Sequence, residues 1–216
     1  DYDIIKNNPK ILCGFSDITA LLHAIYARTG LVTYHGPHFC TFGFDKEAEY
    51  TQSYFFKAVM NNSDFMIKPS QNSKQYYIIQ EGKCEGTILG GNLCTLNLLQ
   101  GTPYMPNLSD KILFIEDDNI MGDYFVPEFD RNLQSLLQVY GADTIRGIIF
   151  GRFDSTCKLD ENVIRKIISN KISSNIPVVF GVDFGHVFPM ITFPIGGKVK
   201  ISAKGQEVII NIFNVE

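Results

Sequence analysis

The chain has 216 residues, 45% of them hydrophobic and 19% charged, so it can bury a sizeable core as one large or two small domains. Its net charge of −4 offers no basic surface to neutralise phosphates, which argues against a nucleic-acid partner. No apolar run is long enough to span a bilayer, so no membrane partner is expected. Five cysteines without a C-x-x-C spacing are typical of a reducing compartment and favour a cytoplasmic location.

The first forty residues have the pattern of a β-α-β unit. Residues 11–15 predict a short buried strand, and residues 31–34 predict a second one parallel to it. Between them, one face of a predicted helix is apolar and ends at Gly30, a residue suited to a helix C-cap. That face carries Ile18, Leu21, Leu22, Ile25 and Tyr26.

The segment from about residue 41 to residue 83 is aromatic and polar, and it predicts an excursion with one helix near residues 47–59. We therefore expect residues 1–60 to be the C-terminal part of a first domain, residues 61–85 to be a linker and residues 86–216 to be a second domain. The second domain alternates strands and helices. Strands are predicted at 111–115, 145–150, 177–180, 199–201 and 208–212, and helices after Asn92 and at 129–140 and 159–168.

Three chemically useful side chains each follow a predicted strand: Ser16, Glu116 and His186. Open sheets place ligands at the carboxyl ends of their strands, and a serine, a histidine and a carboxylate can serve as nucleophile, general base and orienting group. A serine at a strand-to-helix corner also has helical N–H groups beside it, such as that of Asp17, to stabilise an oxyanion. The alternatives remain a helix N-cap for Ser16, a solvated carboxylate for Glu116 and a backbone-bonded loop histidine for His186.

Four stretches resemble the serine peptidase family that contains the LD-carboxypeptidases and the microcin C immunity peptidases. They begin at Gly14, Gly90, Ile112 and Asp183, with sequences GFSDITAL, GGN, ILFIED and DFGHVFPMITFPIGG. The resemblance implies that Ser16 is the nucleophile, His186 the general base and Glu116 the third member, with the Asp17 N–H as one oxyanion donor. It also implies a homodimer without metal or cofactor.

The same resemblance implies a fold of class α/β: a flavodoxin-like N-terminal domain with a parallel sheet and a C-terminal mixed α/β domain, with the active site between them. Family members have roughly a hundred more residues ahead of the serine, including a loop that supplies the second oxyanion donor. One β-α-β unit cannot cover both faces of a parallel sheet. We therefore expect the chain to be the remainder of a longer protein. The alternative to an enzyme is a catalytically incomplete fragment or a homologue that only binds.

The aromatic excursion resembles the microcin C immunity branch, in which this region helps to form the substrate pocket. Its aromatic residues are Phe39, Phe42, Phe44, Tyr50, Tyr54, Phe55 and Phe56. The resemblance therefore favours a peptidyl- or aminoacyl-nucleotide as substrate, with the L,D bond of a muropeptide as the alternative. The chain has no tryptophan, so base stacking would fall to Tyr or Phe, and simple packing remains an equal alternative for these residues.

Other residues are weaker candidates for substrate binding. Gly91 and Asn92 open a predicted helix and could bind an anion such as a substrate carboxylate, although a tight turn with a helix cap explains them equally well. Arg152 follows a predicted strand and could bind a carboxylate, although a structural salt bridge is the commoner role. The turn from His35 to His38 has two histidines but no evident carboxylate or cysteine partner for a shared metal, so we assign no metal to it.

Overall fold

The computed structural model describes residues 1–43, 48–60, 63–71, 73, 75–172 and 175–213. Its strands form a three-stranded sheet and an eight-stranded sheet. The architecture is mixed α/β, as predicted, and the two sheets meet close to the strand ends that carry Ser16, Glu116 and His186.

The small sheet begins with the predicted β-α-β unit. Helix α1 (Tyr2–Asn7) precedes strand β1 (Cys13–Gly14), helix α2 (Ile18–Thr29) follows it, and strand β2 (Thr33–His35) pairs with β1 in parallel. Gly30 ends α2 in a left-handed conformation with φ of 74°, which a glycine adopts without strain. The third strand, β9 (Phe193–Ile195), is antiparallel to β2 and comes from the far end of the chain.

The large sheet has a parallel centre and antiparallel edges. Its strand order is β3-β11-β10-β5-β6-β7-β8-β4, and β5 to β8 are mutually parallel. The strands are β3 (Phe65–Ile67), β4 (Tyr77–Gln80), β5 (Gly82–Asn92), β6 (Lys111–Glu116), β7 (Gly147–Gly151), β8 (Val178–Val182), β10 (Lys198–Lys204) and β11 (Glu207–Ile212). The predicted antiparallel pair at the end of the chain is β10 with β11.

Four further helices lie among the described residues: α3 (Ala48–Val59), α4 (Leu93–Asn97), α5 (Phe125–Leu136) and α6 (Glu161–Ser169). Helix α5 begins four residues earlier than its apolar pattern predicts and ends at Leu136 rather than Tyr140. Asn92 and Asp160 cap α4 and α6 by accepting backbone N–H bonds. Within the described ranges, the helices are all too short or too polar to cross a membrane.

The segment 61–85 is not a linker, contrary to the prediction. It contributes β3 to one edge of the large sheet and β4 to the other, and the long strand β5 begins at Gly82. β9 likewise crosses the predicted boundary, because it extends the small sheet from within residues 86–216. These edge strands are only three or four residues long and pair with distant parts of the chain, so local sequence patterns do not reveal them.

Helix α2 meets the large sheet through polar contacts. His23 is fully buried, donates from Nδ1 to Thr19 O at 2.9 Å and accepts the Gly90 N–H at Nε2 at 3.1 Å. The hydroxyl of Thr19 accepts the N–H of Asn92 at 3.1 Å. The predicted apolar face is therefore only partly correct, since Leu21 is 53% exposed while Thr19 and His23 are buried.

Protonation of the buried His23 destabilises the fold. Burial lowers its pKa from 6.5 to about 4, because a protonated ring would lose solvation and its acceptor nitrogen. Between these two values His23 binds more protons in the unfolded chain than in the folded one, so its contribution to stability falls as pH falls through this window, by at most about 3 kcal/mol.

We expect a His23→Leu variant to lose less stability to urea than the wild type, relative to its own value at about pH 7.5, when the pH is lowered to about 5. Asp117, whose raised pKa acts in the opposite direction, is present in both proteins. An identical pH dependence in the two proteins would exclude His23 as its source.

Candidate active site

Ser16 lies at the corner between β1 and α2 in a conformation that is unusual for a serine. Its φ is 59°, in the left-handed region. The Thr19 N–H donates to the Ser16 carbonyl at 2.9 Å, so the turn is closed by the backbone and not by the serine hydroxyl. The helix-cap alternative is therefore wrong for the side chain. This backbone strain is characteristic of a nucleophile elbow, which presents a hydroxyl at a sharp strand-to-helix turn.

The three strand-end residues form one hydrogen-bonded chain. His186 Nε2 lies 3.0 Å from Ser16 Oγ, and His186 Nδ1 lies 2.8 Å from Glu116 Oε2. With Nδ1 protonated, the ring donates to Glu116 and accepts from the serine hydroxyl. Glu116 is fully buried, so the solvated-carboxylate alternative does not apply. Both ring nitrogens of His186 contact side chains, so the backbone-bonded alternative does not apply either.

Burial and neighbouring charges shift the pKa values of both His186 and Glu116. Burial favours the neutral ring of His186, but the hydrogen bond and charge of Glu116 outweigh it and raise the His186 pKa above its ordinary value. Burial alone would raise the pKa of Glu116, yet the contacts with His186 and His35 hold it below its ordinary value. Burial and the neighbouring Glu116 charge raise the pKa of Asp117 to about 7.

The backbone near Glu116 is close enough to require a glycine. Gly185 has φ of 114°, and a Cβ added there would lie 3.1 Å from Glu116 Cβ and 3.3 Å from its Oε2. The loop after β8 can therefore fold directly over the carboxylate and deliver His186 to it. Gly185 immediately before His186 permits this close approach, because glycine has no side chain.

The turn from His35 to His38 also belongs to the site, which the sequence analysis missed. His35 is buried at the end of β2, with Nε2 3.6 Å from Glu116 Oε1. His38 accepts the N–H of Phe15 at 3.2 Å, and its ring packs on that of Phe15 with centroids 4.4 Å apart. The carboxylate partner of His35 is thus Glu116 at the end of β6, far from the turn in sequence. Among the described residues, His, Cys, Asp and Glu side chains form no group of three that could hold a metal ion.

Gly91 and Asn92 lie inside the contact between the sheets. A Cβ at Gly91 would lie 2.8 Å from Thr19 Oγ1 and 3.0 Å from His35 Cδ2. Asn92 caps α4 through Thr95 N at 2.9 Å and donates to Asp117 Oδ1 at 3.1 Å. Both residues are buried, so these contacts match the turn-and-cap alternative and not substrate binding.

Arg152 forms a salt bridge with a buried carboxylate. Its Nε lies 2.8 Å from Asp183 Oδ1, and another guanidinium nitrogen donates to Pro189 O at 3.0 Å. This is the structural salt bridge of the alternative interpretation. Asp183 is fully buried and also accepts hydrogen bonds from Ser70, Ser73 and Tyr76 at 2.8–3.2 Å. These hydrogen bonds connect the excursion of residues 41–83 to the loop that carries His186.

The aromatic residues of the excursion divide into packed and exposed ones. Tyr54 is buried and bonded to the backbone of residues 66 and 68, and Tyr50 donates to Lys68 O at 2.7 Å. Phe39 is 93% exposed, directly after His38, and Phe56 is 51% exposed. Phe44 lies outside the described residues.

Comparison with known proteins identifies the family of this chain. The family model for the LD-carboxypeptidase N-terminal domain matches residues 1–36, and the model for the LD-carboxypeptidase C-terminal domain matches residues 85–201. "Putative carboxypeptidase YocD" of Bacillus subtilis is 45% identical over 94% of this chain and 67% of its own length. The chain belongs to the LD-carboxypeptidase family.

Solved members of this LD-carboxypeptidase family have the same fold. An MccF-like protein from Bacillus anthracis is 42% identical, with a TM-score of 0.95 over 100% of this chain and 71% of its own. The structure of MccF in complex with glutamyl sulfamoyl guanosine is 29% identical, with a TM-score of 0.79 over 100% of this chain and 70% of its own. The family is one of serine peptidases, and its two-domain α/β fold is the one found here.

Proposed function

We propose that the protein is a serine hydrolase that cleaves an amide bond in a peptidyl- or aminoacyl-nucleotide, with Ser16, His186 and Glu116 as its catalytic triad. The hydrogen-bonded chain from Ser16 Oγ through His186 to the buried Glu116 carries this proposal. Such an activity would inactivate a nucleotide antibiotic of the microcin C type and thereby give self-immunity.

The geometry supports a two-step reaction through an acyl-enzyme. His186 Nε2 takes the proton of Ser16 Oγ as the oxygen attacks the substrate carbonyl, and it then returns the proton to the leaving amine. Water, activated through the same nitrogen, hydrolyses the ester. Throughout, Glu116 holds the ring by its Nδ1–H and stabilises the imidazolium charge.

The oxyanion of the tetrahedral intermediate requires donors beside Ser16. The Asp17 N–H is suited to this role, because it makes no hydrogen bond to another described residue and follows the nucleophile directly. The proposed second donor comes from a segment that precedes the serine in family members. In known enzymes the loss of one such donor lowers the rate by about 10²–10³-fold.

The nucleotide branch is favoured by a relative and by one exposed side chain. MccF was solved with glutamyl sulfamoyl guanosine, an aminoacyl-nucleotide analogue. Phe39 is 93% exposed next to His38, which contacts the residue before Ser16, so its ring is available to stack on a base. Homodimerisation and a cytoplasmic location stay predictions.

The second candidate is hydrolysis of the L,D bond of a muropeptide in cell-wall recycling. The name of the matching family models, LD-carboxypeptidase, favours it. Binding without catalysis is the candidate of another class, and the preserved Ser16–His186 contact argues against it.

Turnover of two substrates by the full-length protein separates these functions. We expect an aminoacyl sulfamoyl-adenosine to be hydrolysed with a higher kcat/KM than a muropeptide tetrapeptide. A higher kcat/KM for the muropeptide would establish the second candidate, and the absence of turnover with both would favour the binding-only protein.

Phe39→Ala should lower kcat/KM for the nucleotide substrate about tenfold, since a base-stacking contact contributes about 1–3 kcal/mol. Muropeptide turnover should not change. Phe56→Ala, which removes another exposed ring of the same excursion, serves as the matched control and should leave both activities unaltered. Equal losses from the two variants would contradict base stacking by Phe39.

A further inference from the structure

His35 contacts the carboxylate of the candidate triad from the side opposite His186. Glu116 Oε2 is bonded to His186, whereas Oε1 is buried and has no hydrogen-bond partner among the described residues. His35 Nε2 lies 3.6 Å from Oε1, and both side chains are fully buried. Buried polar atoms are normally paired, so these two neighbouring unpaired atoms call for an explanation.

The surroundings of His35 determine which of its nitrogens carries the proton. Neither ring nitrogen has a hydrogen-bond partner in the described part of the chain. The ring stacks on Phe193 with centroids 4.6 Å apart and meets Phe184 edge-on. An Nδ1–H would therefore be a buried donor without an acceptor, while an Nε2–H faces the Glu116 carboxylate. The neutral Nε2–H form satisfies the geometry best.

The small sheet holds His35 in this place. It is the last residue of β2, paired with Phe193 of β9 on one side and with Gly14 of β1 on the other. Gly91 leaves room for its ring, because a Cβ there would lie 3.0 Å from His35 Cδ2. The strand that lies beside the nucleophile elbow therefore also presents an N–H donor to the third triad member.

We propose that His35 is a positioning residue, whose Nε2–H holds Glu116 Oε1 so that Oε2 stays directed at His186. One carboxylate thus orients two histidines, and only His186 reaches Ser16. This role rests on the hydrolysis proposed above, but the contact itself can be measured without a substrate.

Sharing the carboxylate has an electrostatic consequence. A donor on Oε1 disperses the negative charge that Glu116 presents to His186, so its removal strengthens the His186–Glu116 interaction and raises the pKa of His186 further. Other ionisable groups face this pair as well: Asp117 and Asp118 follow Glu116 on the chain, and His23 faces His35 from α2. All three remain in the variants described below.

Two variants separate hydrogen bonding from packing. His35→Phe keeps a ring against Phe193 but has no donor, whereas His35→Gln gives up the ring and keeps an amide N–H near the position of Nε2. In the full-length protein we expect His35→Phe to lower kcat about 10- to 150-fold, the range spanned by a hydrogen bond to a charged group, with KM changed little. The acid limb of its pH–rate profile should move to higher pH.

His35→Gln should keep kcat within about threefold of the wild type and leave the acid limb in place. The reverse order, with His35→Phe active and His35→Gln impaired, would show that the ring only packs and would overturn the proposal. Equal losses in both variants without a shift of the acid limb would overturn it too.

Imidazole ¹⁵N NMR provides the readout that does not depend on turnover. We expect the His35 ring to be protonated at Nε2 alone and the His186 pKa to be higher in His35→Phe than in the wild type. A His35 ring protonated at Nδ1, or an unchanged His186 pKa, would overturn the role of His35. Failure to hydrolyse either substrate would instead count against the proposed function and leave this result standing.

Discussion

Replacing Ser16 by alanine should lower kcat of the full-length protein by about 10⁴–10⁶-fold, the range for loss of a triad nucleophile. The expected loss is large because no other hydroxyl is bonded to His186 Nε2 among the described residues. Steady-state and single-turnover kinetics on the preferred substrate measure it. Residual activity above the uncatalysed rate would reflect the oxyanion donors and substrate binding alone.

The fold should survive the Ser16→Ala change. Alanine has the same Cβ as serine and meets the same cost at φ of 59°, and the turn is closed by backbone atoms. Thermal unfolding should therefore match that of the wild type. Turnover within tenfold of the wild type in a folded Ser16→Ala protein would remove Ser16 from the mechanism.

Replacing Asp183 by asparagine should be the most destabilising change, at about 3–5 kcal/mol of unfolding free energy, because it removes the fully buried partner charge of Arg152, whose side chain is only 20% exposed. Its amide group would also face the donors of Ser70, Ser73 and Tyr76. Urea unfolding measures the loss. Activity should fall as well, since His186 lies three residues further along the same loop.

The exposed pair between Arg146 and Asp110 offers a matched control. Its atoms are 2.9 Å apart, but the two side chains are 50% and 62% exposed, so Asp110→Asn should cost less than about 1 kcal/mol. Similar small losses from the two variants would contradict the view that Asp183 anchors the excursion to the loop of His186.

The triad residues were predictable because each obeys a local rule that the fold preserves. Ser16 follows β1, Glu116 ends β6 and the His186 loop follows β8, so their positions in the sequence already placed them at strand ends. Contacts between distant parts of the chain carry no such local signal. The hydrogen bond from Gly90 to His23 joins residues 67 positions apart, and the bonds to Asp183 span more than 100. The strands within 61–85 likewise pair with strands more than 90 positions away, so local patterns do not predict them.

His35 obeys the same rule as the triad residues, because it too lies at the end of a predicted strand, the second of the β-α-β unit. Its partner Glu116 is 81 residues away by chain number and is reached only because β2 and β6 converge where the two sheets meet. A list of every polar residue at a strand end would have included it.

Covalent labelling with a fluorophosphonate tests most directly whether Ser16 is a nucleophile activated by His186 and Glu116. In the full-length protein, peptide mass mapping should locate the phosphonyl group on Ser16. The rate of labelling should fall in His186→Gln and Glu116→Gln, and Ser16→Ala should not be labelled. Labelling of another residue, or of Ser16 at an unchanged rate without His186, would contradict the triad.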